Sequence, residues 1–271
     1  MATKRFGGQF SQALLSGVLM GGACLFASLP ADAALPSSKP SAQPSAAARP
    51  ESAISLEATK SALGLPLANR MQVLLTQGEA GYRNLVNIMF DASASMDHRW
   101  RAVTAAGRIG GEEATPELAR ALKSKDWYMR NAALVSMSGI NRDKAIEWAR
   151  LLLSDKALLV RASAVQTLAA LGDRSSASIL WEKLYAKENF RGKHSLFIRR
   201  RILETLAKIE SPGREQKFIE ALNDSDETLH SVAVGALERM TNKKLGAAKD
   251  TVRVKRGHWQ QWWKEQSHET L

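Results

Sequence analysis

Residues 158–173, LLVRASAVQTLAALGD, have a close relative 31 residues upstream in WYMRNAALVSMSGIN, residues 127–141. Aligning Arg130 with Arg161 puts Ala133 over Ala164, Leu134 over Val165, Met137 over Leu168 and Ile140 over Leu171. The same pattern recurs at Arg99, Ala102, Val103, Ala106 and Ile109. It recurs again at Arg199, Ile202, Leu203, Leu206 and Ile209, and finally at His230, Ala233, Val234, Leu237 and Met240. The five copies are spaced by 31, 31, 38 and 31 residues. Apolar side chains at offsets 3, 4, 7 and 10 from the arginine form one stripe of a helix. A second helix precedes each later copy, marked by Leu122, Leu153, Leu184 and Leu222, with Leu118, Ala149, Leu180 and Phe218 one turn earlier. Two helices with one apolar stripe each cannot bury both stripes alone; stacked on neighbours, they can. The sequence therefore predicts an all-α chain, an α-solenoid of about five to six helix pairs over 56–246. Residues 56–97 read as a degenerate first unit with Met71, Leu74, Leu85, Val86 and Met89 as its core.

Val160-Arg161-Ala162-Ser163-Ala164-Val165, continued by Leu168, Leu171 and Gly172, follows V-R-x-x-A-V-x-x-L-x-x-L-G. On these residues the chain resembles the bacterial HEAT-repeat family over roughly residues 65–245. The departures are His230 in place of arginine, and Glu210 and Thr241 in place of the closing glycine. The resemblance implies a superhelix of helix pairs; it implies no activity, because fold alone does not specify function. Two enzyme groups share this repeat type. HEAT-like hydroxylases hold iron with repeated His-Glu pairs, whereas the one His-Glu here is His268-Glu269 in the tail. Phycobilin lyases act in the cytosol, at odds with the amino-terminal segment described below.

An arginine in the first turn of a helix opposes the helix dipole and calls for a carboxylate. Asp126 stands four residues before Arg130, Asp155 six before Arg161, and Asp224 six before His230. We read Arg99, Asp126, Arg130, Asp155, Arg161 and Asp224 as a structural ladder in which the carboxylates cap helices and accept from arginines of neighbouring repeats.

The 38-residue spacing contains a seven-residue insertion that runs into Arg199-Arg200-Arg201, and residues 186–201 carry six Lys or Arg against one Glu. No aspartate precedes Arg199 at either ladder offset. Arg191, Lys193, Arg199, Arg200 and Arg201 are therefore candidate binding residues, and Trp100, Arg101 and Trp127 add aromatic and basic groups near the same helix ends. Loops that interrupt a regular scaffold commonly carry its function. Loop drift that leaves only a solvated basic face is the competing reading.

Trp259, Trp262 and Trp263 lie at i, i+3 and i+4, on one face of a helix. The last repeat of a solenoid has an apolar flank with no following repeat to cover it. The three indoles are accordingly read as a structural cap within a basic closing segment, 247–271. The run from Thr241 to Gly246 followed by W-x-x-W-W resembles the closing segment of bacterial HEAT proteins.

Residues 1–33 carry a basic start at Lys4 and Arg5, an apolar stretch from Ala13 to Leu29, and Ala31-Asp32-Ala33 after Pro30. This is the pattern of a secretory signal, and it predicts an exported protein, periplasmic or secreted. Residues 34–55, rich in Pro, Ser and Ala, read as a disordered linker. Cys24, the one cysteine, would leave with the signal, which excludes disulfides, cysteine nucleophiles and cysteine-ligated metal. Loss of Lys4, Arg5 and Asp32 would take the net charge from +11 to +10. The five histidines are scattered singly, with no metal-ligand spacing and no nucleotide-binding glycine motif. These features predict no cofactor, no metal and no catalytic constellation. The expected function is a non-catalytic scaffold that binds a protein through its inner face or basic edge. A module for an acidic polymer or anionic membrane surface is second; nucleic acid is a rare companion of an exported protein. A HEAT-type lyase or hydroxylase is third.

Overall fold

The computed structural model describes residues 54–268. The expected signal and nearly all of the expected linker, together with residues 269–271, lie outside them. Helices α1 (Leu56–Gly64), α2 (Leu67–Thr76) and α3 (Gly78–Phe90) open the stack. Then follow α4 (Met96–Gly110), α5 (Thr115–Ala121), α6 (Trp127–Ser138), α7 (Arg142–Leu152), α8 (Leu158–Leu171) and α9 (Ala177–Leu184). A two-stranded hairpin, β1 (Phe190–Arg191) and β2 (His194–Ser195), precedes α10 (Phe197–Ile209), α11 (Glu215–Ala221), α12 (Glu227–Thr241) and α13 (Val252–His268).

The five sequence copies are α4, α6, α8, α10 and α12. Each packs against the next, whereas α5, α7, α9 and α11 pack chiefly on the helices of that inner row. A tight row backed by a splayed row makes the inner helices the concave face. Every apolar position named in the first four copies is buried except Ile109, Ile140 and Leu171, which are partly buried. So are Leu118, Leu122, Ala149, Leu153, Leu180, Leu184, Phe218 and Leu222 on the outer row. α4 and α6 approach closely: a Cβ on Gly107 would lie 2.9 Å from Ser136 Cβ. The fold is an α-solenoid. Its first unit differs from the expected single pair, because α1 adds a third helix that packs on α2, α3 and α4. Leu74, Leu85 and Met89 are fully buried there, and Met71 and Val86 partly so.

Helix ends follow local chemistry. Ser55, Ser95, Asn141 and Asp226 each accept a backbone N–H of the helix they begin. At the closing glycine of the repeat, Gly172 takes the left-handed conformation with φ 61°. Glu210 needs no such freedom, because the chain leaves α10 there in an extended conformation. Thr241 is still helical, and the next residue, Asn242, makes the left-handed turn with φ 53°. Asparagine tolerates that region through its short polar side chain.

Candidate functional site

The first two rungs of the ladder are built one way. Arg130 forks onto Asp155 of the following repeat, with Nε to Oδ2 and Nη2 to Oδ1 both at 2.6 Å. Its Nη1 donates to the carbonyls of Ser124 and Lys125 in its own loop. Arg99 reaches Asp126 at 2.8 Å and the Tyr128 hydroxyl at 2.7 Å. Each guanidinium thus joins the chain before its own helix to the next repeat, Arg130 through its loop and Arg99 through Met89 O at 3.3 Å. Asp126 begins α6, but its carboxylate goes to Arg99 and caps no helix N–H. Capping falls to Asp226, and Asp155 accepts from Ala157 N. Burial opposes ionisation of Asp155, but Arg130 and the Ala157 N–H outweigh it and hold its pKa below the usual range.

At the third rung the insertion supplies the partner. Arg161 Nε donates to Asn189 Oδ1 at 3.0 Å, and its Nη2 donates to the Glu188 carbonyl at 2.6 Å. Asn189 is fully buried, and its Nδ2 in turn donates to Lys183 O. An amide can accept on one side and donate on the other, which a carboxylate cannot. The stem of the insertion is therefore structural.

Arg199, placed by its missing upstream aspartate among the candidate binding residues, belongs to the ladder. It is 1% exposed, its Nε donates to Leu184 O at 2.8 Å, and its two terminal nitrogens grip Asp224. The guanidinium also lies 4.3 Å from the centre of the Phe190 ring. Its carboxylate comes from downstream, as it does for Arg99 and Arg130. The rule of an upstream aspartate concerned the wrong repeat. His230 ends the row: Nε2 donates to Asp224 O at 2.9 Å, its own loop, with no further repeat to reach.

The remaining candidates separate by exposure. Arg200 is exposed and paired with Glu204 at 2.9 Å. Arg201 is exposed, meets no carboxylate among the described residues and lies over the Phe197 ring. Arg191 and Lys193 occupy the exposed hairpin tip without ion-pair partners among the described residues. Arg101 is tied to Leu63 O, and Trp100 beside it is half-buried. Trp127 is 42% exposed and meets Tyr128 edge-on.

On the concave face, α6, α8 and α10 frame a shallow groove of about 240 Å³ lined by Trp127, Asn131, Leu159, Ser163, Phe197 and Arg201. Leu159 and Phe197 are 53% and 49% exposed. The periodicity of the buried stripe did not reveal this groove. Trp127, Leu159 and Phe197 sit at offsets −3 and −2 from the repeat arginine, and Asn131, Ser163 and Arg201 at +1 and +2, outside the core positions.

The tail closes the other end. α13 packs on α11 and α12, with Trp259 wholly buried and Trp262 and Trp263 partly buried against the core. Trp259 and Trp262 meet edge-on at 5.3 Å. Among the described residues no group of three His, Cys, Asp or Glu converges as a metal site would. No described helix is long and apolar enough to cross a membrane.

Residues 83–148 match the family model for HEAT repeats. That segment thus carries HEAT repeats, a class that generally mediates protein interaction. A search of curated proteins finds no match. Among solved structures the chain is similar to an engineered protein from a structural genomics programme, at 18% identity and a TM-score of 0.43 over 69% of this chain and 90% of that one. It is also similar to the complex of CpcE and CpcF of phycocyanin lyase from Nostoc sp. PCC7120. That match has 18% identity and a TM-score of 0.38 over 74% of this chain and 82% of the other.

Proposed function

We propose that the chain is a non-catalytic scaffold that receives a segment of a partner protein in the groove between α6, α8 and α10. The observation that carries this reading is the side-by-side exposure of Trp127, Leu159 and Phe197 on three successive inner helices. Large apolar groups exposed in a row, rimmed by polar ones, mark interaction surfaces. Trp and Arg are also the residues that most often anchor protein interfaces. Asn131, Ser163 and Arg201 supply the polar rim. The partner segment would present apolar side chains and a carboxylate for Arg201. A polyanion track is less well supported, because it needs a run of free cations. Of the three consecutive arginines, Arg199 is buried in the ladder and Arg200 is spent on Glu204.

A photo-crosslinking residue at position 127 or 197, in cells that make the protein, should trap one discrete partner. The same residue at Leu151, exposed on outer helix α7, should not. Leu159→Glu should abolish the adduct without lowering the melting temperature. Equal trapping from position 151, or an adduct indifferent to Leu159→Glu, would sink the proposal. We further propose that the scaffold works outside the cytoplasm, on the signal-like pattern of residues 1–33. Mass spectrometry should then find its amino terminus at or near Ala34; intact Met1 on the working protein would refute this.

A further inference from the structure

A second concavity lies nearer the amino-terminal end, between α2, α4 and the end of α6, and its volume is about 650 Å³. That is within the roughly 300–1,000 Å³ of small-molecule sites. Its apolar wall includes Leu67, Met71, Trp100 and Val135, and three guanidiniums, Arg70, Arg101 and Arg108, line it. Gly107 and Gly139 also line it.

The cations are under-compensated. Arg70 is only 7% exposed, yet its partner is the Leu65 carbonyl, which takes Nε and Nη2 at 3.2 and 2.9 Å. Among the described residues no carboxylate lies in ion-pair range of it, and its Nη1 has no hydrogen bond. Arg101 gives Nη1 to Leu63 O at 2.9 Å. Asp97 Oδ1 lies 2.9 Å from Arg101 Nε but off its N–H direction, so this buried donor makes no hydrogen bond. Arg108 is exposed and has no partner among the described residues. Of the residues that line the hollow none is a carboxylate, and the half-exposed Asp97 beside Arg101 is the nearby acidic group. Burial and the nearby Arg101 both push the pKa of Arg70 down, the sign of a site short of negative charge.

We propose that this cleft binds a small amphiphilic anion, an alkyl chain ending in a carboxylate or similar headgroup. The headgroup takes the spare nitrogens of Arg70 and Arg101, with Arg108 at the mouth, and the chain lies along Met71, Trp100 and Val135. A guanidinium that accepts an anion in a low-dielectric hollow gains a charge-assisted hydrogen bond, which is stronger there than in water. The site is separate from the groove of the proposed protein contact, so either can fail alone.

Titration calorimetry of the full chain should find one decanoate bound per chain, decanol at least tenfold weaker and inorganic phosphate without measurable heat. Two variants leave the ladder untouched. Val135→Trp, at a position 53% exposed, should fill the hollow and abolish decanoate binding. Arg108→Glu should weaken it at least fivefold, and both should keep the parental melting temperature. Equal affinity for decanol, phosphate binding as tight as decanoate, several weak sites per chain, or decanoate binding indifferent to Val135→Trp would each overturn the assignment.

Discussion

Arg199→Ala tests the ladder where sequence and structure differ most. In the folded protein this side chain is 1% exposed and serves the Leu184 carbonyl, the Ser195 hydroxyl and the Asp224 carboxylate. Truncation leaves Asp224, with a side chain 10% exposed, without its cation. Removal of one member of a buried pair typically costs about 3–5 kcal/mol, since the remaining charge stays desolvated. Asp224 still accepts the Asp226 N–H at 2.8 Å, which moves the expectation toward the lower end, about 3 kcal/mol. Against a total stability of about 5–15 kcal/mol, that loss is large. Urea unfolding followed by circular dichroism at pH 7 would measure it. Hydrogen exchange should show α10 and α12 losing protection while α4 keeps it, because solenoid stability is summed over neighbouring repeats. Arg199→Met with Asp224→Leu should recover most of the loss, since an apolar pair of similar volume removes both desolvated charges. Arg201→Ala, at an exposed position, should stay within about 0.5 kcal/mol of the parent. If Arg199→Ala behaved like Arg201→Ala, the ladder would not hold the repeats together and the burial argument would be wrong.

Two further outcomes are expected. Trp259→Ala should destabilise by about 3–5 kcal/mol, as for an aromatic lost from a core, and Trp262→Ala, only partly buried, by clearly less; equal losses in calorimetry would contradict the placement of α13. Acid should unfold the protein through its depressed carboxylates. Burial works against ionisation of Asp173, but Ser175, Ser176 and Arg150 overcome it and hold its pKa at about 2; Asp155 and Asp226 are lowered as well. A group with a depressed folded pKa contributes stability above its unfolded value, near 3.9, that is lost as pH falls toward the folded value. The melting temperature should therefore drop between about pH 4 and pH 2. Asp173→Asn should flatten that drop, and a profile unchanged by the substitution would refute the assignment to Asp173.

The helices and their buried faces were legible in the sequence, because a repeat that recurs at constant spacing must present the same stripe to the same neighbour each time. Position 161 and its equivalents line up in the sequence, and from Ala133 to Leu237 the stripe residues at offsets 3, 4 and 7 are buried. The tryptophans at i, i+3 and i+4 likewise placed themselves on one helical face. Partnership across repeats was not legible. Arg199 lacks an aspartate upstream, and only the stacking of α10 on α12 brings Asp224, 25 residues downstream, to its guanidinium. Asn189 is an unremarked amide in a basic loop until the fold carries it under Arg161, where its two-sided hydrogen bonding replaces a carboxylate. The apolar groove and the arginine-lined cleft were hidden for the same reason. Each is assembled from residues on three different helices, and periodicity reports the face a helix buries while the concave surface is made from what it leaves uncovered.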